Sequence, residues 1–341
     1  MNQAPDPGRI MQIASAYGLS KALLSAVGLG LYSRLADGPM TLPEIIAEYG
    51  LKERPAMDLL DLLVSADLLG RDGDGPGARY CNTPETAAFL DRNQPAYIGG
   101  IIELWDNRNY RFWADLTEAT QTGLAQNETK GAGTPFFETL YAEPERLEAF
   151  MAAMNGSSIR NFEALARKFP FENYKSLTDI GGADALLSRC VAAAHSHLSC
   201  TSFDLPMVTD IAARKIQDAG LVERITAVSG DFFADPLPRA DVITMGMILH
   251  DWNLEKKKAL VQKAYDALPE GGAFVAIEAL IDDARRENTF GLFLSLNMLI
   301  EFGDAFDFTG AEFQDWCCEA GFKRFETIPL DGPSSAAVAY K

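Results

Sequence analysis

The chain has 341 residues, 48% of them hydrophobic and 23% charged, ordinary values for a globular protein of one large domain or two. Its net charge of −18 opposes nucleic-acid binding, because displacing phosphate counterions takes a cationic surface. The five cysteines (Cys81, Cys190, Cys200, Cys317, Cys318) contain no C-x-x-C pair and cannot all be paired, so a reduced, cytoplasmic protein is expected.

The first segment, MNQAPDPGRIMQ, has no basic stretch followed by an apolar core and does not read as a signal peptide. Gly18 to Leu35 carries Leu23, Val27, Leu31 and Leu35 at helical spacing, and Gly38-Pro39 stops that helix. Thr41-Leu42-Pro43-Glu44 is a capping-box start, and its helix runs to Tyr49 before Gly50. Arg54-Pro55 opens another helix. Arg71 to Gly77 is a glycine-rich turn between two short strands, and Thr83-Pro84 caps a further helix. Together these predict a winged helix. Its second paired helix carries Asp58, Asp61 and Asp67 rather than basic residues, so the module reads as a packing and dimerisation unit, not a DNA reader.

Ala96 to Leu116 is rich in aromatic residues, of which Trp105 is left open between core packing and a wall for a flat ligand. Gln121 to Pro135 reads as a loop. Glu143 to Phe169 reads as a long helix with Phe150 and Met154 on one face, equally consistent with core and with a pocket lining. The domain boundary is placed near Asn173, giving residues 1–172 and 173–341.

From Ser176 strands and helices alternate, which predicts an α/β, doubly wound, Rossmann-like parallel sheet. Ligands of such sheets sit at the carboxyl ends of the strands. Gly181 and Gly182 end the first strand there, Asp204 the second, and Gly230-Asp231-Phe232 follow the third. Asp204 would accept ribose hydroxyls or cap a helix, and Asp231 would accept from an adenine amine or hold a turn, with Phe232 against the ring. Strand, glycine turn, helix, strand and terminal acid make a nucleoside-binding unit. The run G-G-A-D-A fits a dinucleotide fingerprint poorly, which opposes a nicotinamide-dependent dehydrogenase. His250 lies just past the fourth strand, where a base of near-neutral pKa could take a proton from a weak nucleophile. The longest apolar run, Gly291 to Ile300, is too short to span a membrane and carries Ser295 and Asn297, so no membrane partner is expected.

The motifs D-I-G-G-A-D-A at 179–185, F-D-L-P at 203–206, G-D-F-F at 230–233 and L-H-D-W at 249–252 are similar, in this order, to those of the class I S-adenosylmethionine-dependent small-molecule O-methyltransferase family. This is the plant and bacterial type with an N-terminal, all-helical winged-helix dimerisation domain. The resemblance covers nearly the whole chain. It implies a homodimer, S-adenosylmethionine as cofactor, and a small aromatic or polyketide-like hydroxylated substrate. It implies His250 as general base, oriented by Glu278 and by Asp307, which stands where the family's G-G-x-E-R-T motif has its acid. It further places Phe150 and Met154 at the acceptor, with Trp105 and Asp251 as further candidates there. Two departures are Ala183 and Ala185, where the family's first motif has glycine, with Asp184 between them. Some relatives on this fold do not transfer methyl groups, and others hold a metal near the His-Asp pair. No second metal-ligand histidine is evident here, so no metal is expected.

Overall fold

The computed structural model describes residues 5–130, 140 and 143–341. The chain forms two compact units, one of residues up to Arg111 with Ala152–Ser157, the other of Phe112–Met151 with Ser158–Lys341.

The first unit is built on α1 (Gly8–Gly28), α2 (Leu31–Ala36), α3 (Leu42–Tyr49) and α4 (Glu53–Ser65). The expected single helix over 18–35 is broken, because Gly30 adopts φ +73, a left-handed value open to glycine. At Thr41 the expected capping box is present: its side chain accepts from the Glu44 amide while Glu44 accepts from the Thr41 amide. The small hairpin gains a third strand. β1 (Met40–Thr41), β2 (Gly70–Asp72) and β3 (Arg79–Cys81) form an antiparallel sheet in the order β1-β3-β2. Then follow α5 (Pro84–Phe89), α6 (Gly99–Leu104) and a π-helical turn, Trp105–Asn109. The core gathers Leu24, Val27, Leu31, Tyr32, Ile45, Leu60 and Leu63.

α1 departs from the sequence reading in another way. It, and not the run at 291–300, is the one helix among the described residues long and apolar enough to cross a membrane by length and composition. It buries only its carboxyl half (Ala22, Leu24, Ala26, Val27) and leaves Ile10, Met11, Ile13 and Tyr17 at least 63% exposed. An apolar helix face of that kind marks an association surface.

The second unit begins with α7 (Leu116–Thr122) and the long α8 (Pro144–Lys168), whose residues 152–157 belong to the first unit. Its sheet has seven strands in the order β6-β5-β4-β7-β8-β10-β9. These are β4 (Ser176–Ile180), β5 (Ser199–Asp204), β6 (Ile225–Ser229), β7 (Val242–Gly246), β8 (Ala273–Glu278), β9 (Arg324–Pro329) and β10 (Ser335–Tyr340). All neighbours are parallel except β10, which runs antiparallel to both β8 and β9. Helices α9 (Leu186–Ala194), α10 (Pro206–Asp218), α11 (Leu254–Ala267), α12 (Thr289–Phe302) and α13 (Gly310–Ala320) complete it.

Strands covered on both faces read as apolar runs. All six residues of β8 are buried, with Val275 and Ile277 in one core cluster and Phe274 and Ala276 in the other. Strand order reverses between β4 and β7, so the crevice at this switch point opens where Gly181 and the 246–252 segment leave the sheet. The sequence reading assigned no helix to α12. Its apolar run folds because the Asn288 side chain accepts from the Gly291 amide at 3.1 Å and Gly303 ends it at φ +80.

Candidate active site

The turn after β4 is shaped for close approach. Gly181 lies at φ +67, and a Cβ there would fall 2.3 Å from Ile248 Cδ1 and 3.9 Å from Phe232 Cε1. A Cβ on Gly182 would fall 2.3 Å from Ser202 Oγ. Both positions therefore demand glycine. Ala183 and Ala185 adopt φ +48 and +66, a strained choice for alanine. The next residue, Leu186, begins α9, so the turn presents a helix amino terminus. The carboxylate of Asp184 is buried and faces Arg189, 3.1 Å away, which offsets its charge.

Asp204, at the end of β5, accepts from the Ala183 amide at 2.9 Å and from the Leu205 amide at 2.7 Å. Burial pushes its carboxyl up to about 6 against the pull of those two bonds. It thus ties the glycine turn to the second strand, and its remaining lone pairs are those a pair of hydroxyls would use. Asp231 accepts from the Phe233 amide at 2.7 Å, and Gly230 is pinned by its amide to the Asp204 carbonyl. The Phe232 ring is half-buried, edge-on to Phe233 and Trp252. A close glycine turn, a half-buried acid, a second acid and an aromatic ring at three successive strand ends fit a nucleoside donor such as S-adenosylmethionine.

A 3₁₀ turn, Leu249–Asp251, follows β7 and carries His250, 4% exposed. Its Nδ1 faces Asp307 Oδ1 at 3.4 Å and Glu278 Oε2 at 3.8 Å; its Nε2 faces Asp251 Oδ1 at 3.3 Å. Glu278 fixes the turn by accepting from the Leu249 amide at 3.1 Å. Asp307 is held from behind, where its amide donates to Ser295 Oγ of α12 at 3.2 Å. Nδ1, Oε2 and both Asp307 carboxylate oxygens are buried and make no other hydrogen bond among the described residues. Burial by itself lowers the imidazole's proton affinity. Glu278, Asp251 and Asp307 together outweigh it and raise the histidine well above its ordinary value. Burial raises Glu278 too, and lifts Asp251 to about 6. The expected catalytic trio and Asp251 are thus brought together. Ligand atoms of His250, Glu278 and Asp307 lie within 4.8 Å of one another, close enough to share a proton or a cation.

Phe150 is half-buried in an apolar cluster with Leu147, Met151 and Val208, against which Ala183 of the donor turn also packs. Met154 and Trp105 belong to the first unit. Met154 lies half-buried on a segment that packs closely against Tyr97 and Gly100, and Trp105 opens the π-helical turn against that unit's core. Residues 131–135 of the expected loop lie outside the described residues.

Sequence reasoning overlooked three features. Asp179, at the end of β4, is fully buried, accepts from Thr244 Oγ1 at 2.8 Å and is raised by burial to about 7. It is the first residue of the D-I-G-G-A-D-A motif. Trp113 stacks on Phe293 with centroids 5.0 Å apart, and its indole donates to Asn297 at 3.2 Å, which ties it to α12. Lys257 on α11 is wholly buried among the carboxylates around His250. Nothing in the run Lys256-Lys257-Lys258 marks it as the buried one.

A parallel sheet with one antiparallel strand, a glycine turn at the switch point and an acid ending the neighbouring strand define the fold of a class I S-adenosylmethionine-dependent methyltransferase. Comparison with known proteins narrows this. The O-methyltransferase domain model matches residues 113–323 and the O-methyltransferase dimerisation domain model residues 11–92, so the chain belongs to the O-methyltransferase family and S-adenosylmethionine is its cofactor. The chain is 38% identical over 335 residues, 98% of its length and 97% of the relative's, to the tetracenomycin polyketide synthesis 8-O-methyl transferase TcmO of Streptomyces glaucescens. It is 37% identical over 322 residues, 94% of its length and 92% of the relative's, to the N,N-dimethyltransferase OxyT of Streptomyces rimosus. The crystal structure of human N-acetylserotonin methyltransferase in complex with SAM superposes with a TM-score of 0.90 at 27% identity, covering 100% of this chain and 99% of that one. The protein is a methyltransferase with a dimerisation domain and a small-molecule substrate.

Proposed function

We propose that the protein methylates a hydroxyl group of an aromatic, polyketide-like metabolite and that His250 is its general base. The observation that carries this is the buried imidazole set against two carboxylates on its Nδ1 side, one residue beyond Leu249 and two beyond the Ile248 side chain that abuts the donor turn. Glu278 and Asp307 keep the proton on Nδ1 and orient the ring, which leaves Nε2 to take the acceptor's proton. Asp251, beside Nε2, would accept from the acceptor or from the protonated ring. The donor supplies an electrophilic methyl group on a sulfonium. Gly181, Gly182, Asp204, Gly230, Asp231 and Phe232 hold it in line, and alignment supplies much of the rate. Phe150, Met154 and Trp105 are assigned to the acceptor, residues 1–172 to dimerisation and cover, and 173–341 to donor binding and chemistry.

We read the trio as a proton-holding cluster without a metal, because the Lys257 ammonium already faces its carboxylates. We further infer no nucleic-acid or membrane partner and a cytoplasmic setting, on the strength of the −18 charge and the unpaired cysteines. The polyketide assignment rests on TcmO. Because OxyT is named for methylation at nitrogen, an amine acceptor is the second reading.

The test is calorimetric titration with S-adenosylmethionine, followed by an S-adenosylhomocysteine release assay over polycyclic phenols and their amine analogues. Micromolar donor binding with turnover of phenols supports the reading. Turnover of amines alone moves the acceptor to nitrogen. Donor binding without release from any acceptor points to a non-methylating reaction in the same pocket.

A further inference from the structure

Lys257 is among the largest fully buried side chains of the described protein, with 0% exposure. An ammonium taken out of water costs several kcal/mol unless its surroundings repay it. Here they do so in three ways. Its Nζ donates to the Trp252 carbonyl, directly after the His250–Asp251 turn. It sits over the Phe306 ring at 3.7 Å and within 6.0 Å of the Phe308 ring, both next to Asp307. The charged groups whose fields act on it are Glu278 from β8, Asp307 and Asp304 from the segment after α12, and Asp251 from the turn itself. Glu278, Asp251 and Asp307 are also the groups that face His250.

A histidine among three carboxylates holds its proton tightly, which suits an ion pair and not a base. Deprotonating it would leave three acids around one neutral ring. A second cation inside the same cluster opposes that concentration of negative charge. Burial lowers Lys257 to about 8, the four acids opposing, so the lysine is still largely charged at neutral pH.

We propose that Lys257 is a positioning residue of the methyl-transfer site: its buried ammonium anchors the His250 turn through the Trp252 carbonyl and opposes the pull of Glu278, Asp251 and Asp307, so that His250 gives up its proton more readily than the three carboxylates alone would allow. This rests on the reading of His250 as general base. A hydrophobic residue of similar size at 257 would fill the space, and His250 would then keep its proton to higher pH.

The test is NMR titration of the histidine side chains, which needs no acceptor. The chain has three histidines, and His195 and His197, bonded to the carbonyls of Ala166 and Phe171, are internal controls. In a folded Lys257→Met variant the His250 titration should move up by about 1 unit or more, the usual effect of losing a nearby like charge. The controls should stay put, and Lys257→Arg should restore most of the shift. An unmoved His250 in folded Lys257→Met overturns the proposal and leaves Lys257 as packing. If Lys257→Met does not fold, the wild-type protein decides. The Lys257 side-chain carbon, assigned by its loss in Lys257→Arg, must show an inflection where His250 titrates, because coupling is reciprocal. A Lys257 resonance blind to that titration also overturns the proposal. Should His250→Ala retain turnover, the base reading fails while a measured coupling between the two residues stands, so the two failures are distinct.

Discussion

Replacing Asp204 separates its two possible roles. Its carboxylate satisfies two backbone amides, Ala183 at 2.9 Å and Leu205 at 2.7 Å. Orphaning a buried donor costs about 1–3 kcal/mol, so Asp204→Ala should cost roughly 2–4 kcal/mol in total and lower Tm by about 5–15 °C. If the same carboxylate also accepts both ribose hydroxyls, losing two charge-assisted bonds removes at least about 3 kcal/mol of donor affinity, on the order of 100-fold. Asp204→Asn keeps one oxygen and should lose about tenfold in affinity with a smaller fall in Tm. Calorimetric titration with S-adenosylhomocysteine and thermal unfolding read the two quantities separately. Acidity gives an independent check. Burial holds this carboxyl at about 6, so donor affinity should fall as pH drops from 8 through 6, when the acceptor gains a proton. Stability runs the other way for this group. A carboxyl raised on folding favours the fold below its ordinary range and loses that contribution as pH rises through about 6. Lost stability with unchanged affinity in Asp204→Ala, and an affinity flat with pH, would refute the ribose role and leave a turn cap.

His250→Ala should reduce turnover by about 10²–10⁴-fold while donor affinity stays within a few-fold, as measured by product release and calorimetry; retained turnover removes it from the base role. On α1, Ile13 is 63% exposed on an apolar face, so Ile13→Asp should shift the dimer towards monomer in analytical ultracentrifugation, and an unchanged dimer would move the interface elsewhere. Ala185→Gly should leave Tm within about 4 °C in thermal unfolding, because the strain it relieves and the buried methyl it removes are of similar size, and a larger shift either way refutes that balance.

The sheet was legible because its strands are short, apolar and spaced by helical segments, and because turn glycines and terminal acids fall at strand ends in sequence as well as in space. His250 was legible from its place just past a buried strand. What the sequence hid was contact across distance. Lys257 lies in a run of three lysines, and nothing local distinguishes the one that points inward. Ser295 supports Asp307 from a helix whose apolar run gave no strong one-faced period, since α12 carries Phe290 and Leu296 on its exposed side as well as Leu294, Met298 and Ile300 on its buried one. The break between α1 and α2 turned on a single left-handed glycine, Gly30, inside an otherwise continuous helical pattern.

The alanines of the donor turn show how a departure from an expected motif is accommodated. Ala185 is 0% exposed at φ +66, and a left-handed alanine costs about 1–2 kcal/mol. Glycine would remove that strain, but it would lose a buried methyl worth about 0.8 kcal/mol and add unfolded-chain entropy worth about 0.4–1 kcal/mol. The two sides cancel within about 1 kcal/mol, so packing by the methyl holds the residue in an unfavourable conformation with little net penalty. Ala183, at φ +48, is stabilised differently, by the bond from its amide to Asp204 and by the apolar cluster that includes Phe150. Asp184 is drawn inward to Arg189, which offsets its charge. The turn thus keeps its shape through Asp204, Arg189 and core packing, where a glycine-rich turn relies on the freedom of its backbone.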